Sequence, residues 1–169
     1  QQQRRETPLE GRGAALSFSS ASEVDTFRQG AVLFTNRSYT IKECPAWLNG
    51  QRFLRGNIDW SGPLRVTEDG LLTVLTPEPD HPRAATQHKA LESRGFVWIT
   101  RPDKFQLFDS QPFDLVRVYQ KQVKKGERIT LGKWGVIVGF SSATRSATAT
   151  RPWSENRGER LYNGIVLPE

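Results

Sequence analysis

The last third of the chain is written in short extended runs separated by glycine. Leu115-Val116-Arg117-Val118-Tyr119-Gln120-Lys121 is rich in β-branched and aromatic residues, Lys125-Gly126-Glu127 has turn chemistry, and Arg128-Ile129-Thr130-Leu131-Gly132 resumes the extended pattern. Residues 134–140 form a further apolar run, and residues 161–167 close the chain on another. Such a rhythm is incompatible with a helical bundle. It predicts a mainly β fold, an antiparallel two-sheet β-sandwich of jelly-roll type with one or two short helices.

The upstream sequence fits that plan. Residues 1–15 are polar and lack an apolar period, so they are expected to form a flexible arm, with residues 16–169 as a single sandwich domain. Ser22 and Asp25 have the spacing of a capping box and predict a short helix over residues 23–28, ended by Gly30. Strands are expected at residues 31–35, 39–42, 52–55, 64–66, 71–75, 96–100 and 104–108, with Asn49-Gly50 as a turn and Asp69-Gly70 as a hairpin. The best helix lies over residues 84–93, where Ala84, Ala85, His88 and Leu91 share a face and Gly95 stands just past the end. Residues 141–160 read as a long polar insertion before the closing strand.

At 169 residues the chain can bury a core without covalent staples, and its single cysteine, Cys44, forms no internal disulfide. No apolar run approaches the ~18–20 residues that span a bilayer as a helix. The sequence has no methionine and starts at Gln1, which predicts a chain freed by signal-peptide removal or by excision from a longer protein, with a secreted or periplasmic location as the favoured expectation. The formal net charge of +6 favours acidic partners. Most of the 24 basic residues are arginine, whose planar fork matches carboxylate and sulfate better than an ammonium does.

Three stretches carry a family resemblance. They are Phe34-Thr35-Asn36-Arg37-Ser38-Tyr39-Thr40 with Pro45 and Leu48-Asn49-Gly50 downstream, Lys125-Gly126-Glu127-Arg128-Ile129-Thr130-Leu131-Gly132, and the closing Leu161-Tyr162. Together these resemble the non-catalytic β-sandwich modules, galactose-binding-like or jelly-roll, that are attached to or encoded near secreted bacterial polysaccharide-degrading enzymes. In those modules a strand opens on (D/N)R-x-Y, matched by Arg37 and Tyr39, and a late G-E-x-(V/I)-x-L-G strand is matched from Gly126 to Gly132. The resemblance spans residues 31–167 and implies a carbohydrate-associated role. Lys133-Trp134 stand where the family pattern has a small polar residue and asparagine, so this chain departs from any family site at that point.

Sugar recognition needs flat apolar faces for pyranose rings, and acidic sugars also need cations. Trp60, in a Gly/Pro turn, and Trp153, in a loop with Arg145, Arg151, Arg157 and Arg160 around it, are the tryptophans expected at the surface. Trp98 alternates with Val97 and Ile99 and Trp134 opens an apolar strand, so both read as core, and Trp47 as an anchor beneath its turn. If Val116 and Val118 face the core, period-two alternation puts Arg117, Tyr119 and Lys121 on the solvent face, an aromatic flanked by two cations. The competing reading packs Tyr119 into a second layer and leaves the cations solvated. Arg37 and Tyr39 share a strand face in the same way, or Arg37 fixes the sandwich end by pairing a carboxylate.

Catalytic signals are weak. The two histidines, His81 and His88, lie in a loop and on the expected helix; there is no Gly-x-Ser-x-Gly elbow, phosphate loop or calcium loop. Pairs such as Glu78/Asp80 and Glu155/Glu159 have no demonstrable convergence across a cleft. The expected function is a non-catalytic, carbohydrate-associated binding module without cofactor or metal. Its partners are a polysaccharide or oligosaccharide, anionic in the sharper form of the reading, and a companion enzyme or surface component. The candidate contacts are Arg117, Tyr119, Lys121, Arg145, Arg151, Trp153, Arg157 and Trp60. The alternative is a structural or protein-interaction sandwich. A third reading, single-stranded nucleic-acid binding, draws on the six basic residues and one acid between positions 117 and 133, but no nucleic-acid signature accompanies them.

Overall fold

A computed structural model describes residues 4–18, 22–58, 64–77, 82–101, 105–109, 115–130 and 135–145, with side chains from residue 87 onward in the helix. In chain order the elements are β1 (Arg4–Arg5), β2 (Ala15–Phe18), β3 (Glu23–Thr26), β4 (Arg52–Arg55), β5 (Leu64–Glu68), β6 (Gly70–Pro77), α1 (Pro82–Ser93), β7 (Val97–Ile99), β8 (Phe105–Gln106), β9 (Leu115–Val123), β10 (Arg128–Ile129), β11 (Val136–Val138) and β12 (Ser142–Arg145). The strands form two mixed sheets packed as a β-sandwich. The larger runs β1-β7-β9-β6-β11-β4-β3, with β8 end to end with β7 along β9, and the smaller runs β10-β5-β2-β12.

Strand register sorts the side chains of the larger sheet onto two faces. One row crosses the sheet through Arg4, Trp98, Tyr119, Val74, Ile137, Leu54 and Val24. From it, Trp98, Tyr119, Val74, Ile137 and Leu54 enter the core shared with Leu16, Phe18, Leu64 and Val66 of the smaller sheet and with Leu91 of α1. The neighbouring row, Ile99, Val118, Leu75 and Val136, belongs to a second core on the opposite face. That face is covered by the loop side chains Phe27, Leu33, Phe34, Ile41, Leu48 and Ile58, together with Phe105, Leu107 and Phe108 around β8. The larger sheet is therefore buried on both sides, and β6 is buried at every position.

This coat explains the strands that do not form at residues 31–35 and 39–42. Ala31, Leu33, Phe34 and Ile41 are apolar because they cover the sheet. Their backbones are bonded to one another across a tight loop, with Leu33 N–H donating to the Tyr39 carbonyl (3.0 Å) and Ile41 N–H to that of Ala31 (2.9 Å). The helix expected over residues 23–28 is instead the edge strand β3. Its β-branched Val24 and Thr26 suit a strand, and Glu23 and Asp25 both reach Arg55 across the ladder on β4.

The hairpin expected at Asp69-Gly70 is instead a passage between sheets, because β5 pairs with β2 and β10 whereas β6 lies in the larger sheet. Backbones crowd at this crossing. A Cβ on Gly70 would stand 2.6 Å from the Ala14 nitrogen, and one on Gly13 would stand 2.7 Å from the Ser141 nitrogen and overlap the Gly139 carbonyl. Gly139 itself has φ of 88°. The expected arm is also held down. Arg4 and Arg5 pair with β7, Leu9 N–H donates to the Gln120 side-chain carbonyl at 2.6 Å, and Ala14 is fully buried.

The helix forms where expected. Pro82, with its preset φ and no N–H to satisfy, begins α1. At the other end Phe96 N–H donates to the Leu91 carbonyl and Gly95 N–H to that of Glu92, both at 3.1 Å, with Gly95 at φ of 92° and Leu91 and Phe96 in one core. No helix among the described residues is long and apolar enough to cross a membrane. The polar insertion expected at residues 141–160 opens with β12, which runs parallel to β2; residues 146–169, where the closing strand is expected, lie outside the described residues.

Candidate functional site, a cation and indole cluster at the sheet edge

The β1-β7-β9 edge gathers arginines around one indole. Because Arg4, Trp98 and Tyr119 occupy one cross-strand row, and Arg117 is two residues before Tyr119, all four side chains leave the same face of the sheet. The Arg117 guanidinium lies 3.9 Å from the Trp98 ring centroid and that of Arg4 lies at 5.3 Å. Both are within the range of a cation–π attraction, which holds each fork in place. Trp98 is 9% exposed, and its Nε1 has no hydrogen-bond acceptor among the described residues. On the opposite face of this edge Arg5 shares a row with Ile99, and Arg101 meets Glu6 at 3.6 Å with both groups exposed.

Beneath this cluster the polar tips of α1 and β9 interlock. His88 is 3% exposed, with Nδ1 2.5 Å from the Tyr119 hydroxyl and Nε2 2.6 Å from the Pro77 carbonyl. The Tyr119 hydroxyl also donates toward Glu92 Oε2 at 3.3 Å. Burial foremost, and then the Glu92 carboxylate, raise the phenol's pKa far above its ordinary value despite the nearby Arg117 guanidinium. The hydroxyl therefore stays protonated.

The sequence-derived candidates have different fates. Tyr119 is fully buried, which corrects the expectation of a solvent-facing aromatic on β9. The reason is the two-sided coat: with Val116 and Val118 under the loop layer and Tyr119 under α1, alternation has no watery face to point to. Arg117 remains half-buried at the surface of the cluster. Lys121 is bound to Glu127 at 2.6 Å and lies 5.8 Å from the Phe96 ring. Burial works against the Glu127 charge, but Lys121 and the Lys124 N–H outweigh it and hold that carboxyl below its usual range. Arg145, on the edge strand of the smaller sheet, lies 5.2 Å from the Phe18 ring and donates to the Ser22 carbonyl at 2.8 Å, so it belongs to a different sheet from Arg117. Trp60, Arg151, Trp153 and Arg157 lie outside the described residues.

Arg37 donates to the adjoining Asn36 carbonyl at 2.8 Å, and Tyr39 stacks on Phe108 at 5.1 Å. Arg4 is the cluster member that sequence reasoning missed, since it lies in the supposed arm, where no apolar period announces a strand. A second feature is an open depression of about 330 Å³ lined by Thr26, Gly50, Gln51, Arg52, Gly139 and Phe140. Its arginine is engaged with the Ser141 carbonyl.

No protein-family model matches the chain, and no curated protein matches it. Two solved structures are similar to it at low identity. One is a β-glucuronidase from glycoside hydrolase family 2, with a TM-score of 0.47 and 13% identity over 75% of this chain. The other is a GH138 enzyme targeting pectin rhamnogalacturonan II, with a TM-score of 0.46 and 14% identity over 80% of this chain. The chain spans 14% and 17% of the lengths of those two chains.

Proposed function

We propose that this chain is a non-catalytic, carbohydrate-associated binding module, in a secreted or periplasmic setting, that takes an acidic polysaccharide along the β1-β7-β9 edge. The supporting observation is the pair of guanidinium groups, Arg4 and Arg117, held against Trp98. Stacking fixes each fork before a ligand arrives, which lowers the ordering cost of bidentate pairing with a carboxylate or sulfate. A chain carrying one such group per sugar presents acceptors at regular intervals, and the arginines on both faces of this edge supply donors for them. The net charge of +6 and the resemblance carried by Arg37, Tyr39 and the Gly126 turn agree with that role. Trp98 acts here as a cation holder and not as a sugar platform, because its ring is buried.

A glycan array of acidic and neutral polysaccharides, read at low and at high salt, tests the proposal. The expected outcome is selective binding to acidic glycans that weakens in Arg117→Gln. Absence of signal on every glycan contradicts it, and tighter, sequence-indifferent binding to single-stranded DNA in the same buffers would favour the nucleic-acid reading.

A further inference from the structure

We infer that the outer face of the smaller sheet carries an oxyanion site, built on Arg65 and Arg128, that takes a tetrahedral ester group, sulfate or phosphate, on a glycan chain. Register places the pair. Arg128 of β10 stands directly across from Arg65 of β5, and the row continues through Ser17 of β2 to Thr144 of β12. The adjoining row, Ile129, Leu64 and Phe18, lies in the core, so alternation turns Arg128, Arg65, Ser17 and Thr144 away from it. Both arginines and Thr144 are exposed, and Ser17 is half-buried. With neighbouring strands ~4.8 Å apart, the four residues form a line about 14 Å long across the sheet.

Like charges directly opposite each other across two strands, with Cβ atoms about 4.5–5.5 Å apart, destabilise a sheet. Neither guanidinium has an ion-pair or hydrogen-bond partner among the described residues. The acids nearest in sequence lie elsewhere: Glu127 is bound to Lys121 at 2.6 Å, Asp69 accepts from the Lys125 N–H at 2.6 Å, and Glu68 ends β5 opposite Ala15. An anion from outside therefore relieves the repulsion that the fold leaves in place. Two forks on neighbouring strands need acceptor oxygens in more than one plane. The three terminal oxygens of a sulfate or phosphate ester supply them, whereas a carboxylate is flat. The Ser17 and Thr144 hydroxyls extend the line with groups that pair sugar hydroxyls. The row holds no aromatic ring on which a base would stack, so its chemistry fits a glycan better than a single-stranded nucleic acid. This row is on the smaller sheet and the Arg4 and Arg117 corner is on the larger, so the inference stands whether or not that corner binds sugar.

The test is an NMR titration of the full ¹⁵N-labelled chain, at low salt, with maltotetraose bearing one sulfate ester, one phosphate monoester or neither. The expected result is movement of the Arg65, Arg128, Ser17 and Thr144 amides with the esters and not with the plain sugar; the tighter ester identifies the group the site prefers. Arg65→Gln/Arg128→Gln weakens that binding at least about tenfold. Arg4→Gln/Arg117→Gln leaves it in place, which separates this site from the corner on the larger sheet. In the absence of ligand, Arg65→Gln and Arg128→Gln each raise the melting midpoint by about 1–3 °C at low salt, because one of two repelling charges is gone, and the gain shrinks at high salt. Lowered midpoints in both single variants, amide shifts confined to the β1-β7-β9 edge, equal binding of the plain sugar, or tighter binding of a single-stranded DNA oligomer to the same row overturns the inference.

Discussion

Single side chains in this molecule are set by what lies beneath them more than by their polarity. Lys121 was expected to be a free cation on a solvent face, yet it is tied to Glu127, which also accepts from the Lys124 N–H at 2.9 Å across the turn. The Glu127 carboxyl titrates below its usual range, so its contribution is present above the unfolded value, about 4.3, and is lost as pH falls through the lower folded value. Glu127→Gln should cost roughly 0.5–1 kcal/mol at pH 7, and the difference from wild type should close under strongly acidic conditions; urea unfolding at several pH values measures both. Asp25 is held down too, chiefly by the Thr26 N–H and then by Arg55. Tyr119→Phe is the more severe change despite losing one atom. It removes the hydroxyl that lies 2.5 Å from His88 Nδ1 in a buried site, and a loss of about 1–3 kcal/mol is expected in denaturant melts.

Between elements, glycines decide where the chain can pass from one sheet to the other. Gly70 and Gly13 have backbone atoms where a Cβ would go, whereas Gly30, with φ of 88°, has nothing within 4 Å of that position. Gly70→Ala should therefore destabilise through overlap by roughly 1–3 kcal/mol, and repacking cannot relieve it because the neighbours are main chain. Gly30→Ala should cost about 1–2 kcal/mol from left-handed backbone strain alone. Thermal melts of the two variants, with crystal or NMR comparison of the β2 and β11 ends, separate these causes: only Gly70→Ala should displace Ala14. The element boundaries were unevenly legible in the sequence. β4, β5, β6, β7, β9 and α1 lie where alternation, β-branching and the Gly95 stop placed them, since those signals are local. Residues 31–35, 39–42 and 23–28 depart from expectation because an apolar run that coats a sheet has the composition of a strand, and a Ser-x-x-Asp spacing also occurs where two acids converge on Arg55.

At the scale of the whole molecule, the consequential fact is a sheet covered on both faces, by the smaller sheet and α1 on one side and by loop side chains on the other. The sequence announced a sandwich but not this extra coat, because coverage of a second face comes from loops whose apolar residues have no period. For the same reason the candidate site was half legible: Arg117 could be named from β9, but its partners Trp98 and Arg4 come from 19 and 113 residues earlier and meet it only through register. Two-sided burial predicts that amide hydrogen exchange is slowest in β6 and β9, slower than in the edge strands β3 and β12. It also confines ligand contact on this sheet to its edges, which is why the reading of function rests on the Arg4, Trp98 and Arg117 corner. Calorimetric titration of the full chain with an oligogalacturonate, against its methyl-esterified counterpart, addresses that corner most directly. Binding to the acid form alone is expected, weakened by salt and reduced at least about tenfold in Arg4→Gln/Arg117→Gln, a loss of ~1.4 kcal/mol; equal binding of both forms, or full affinity in the double variant, would rule out a cationic glycan site at this corner.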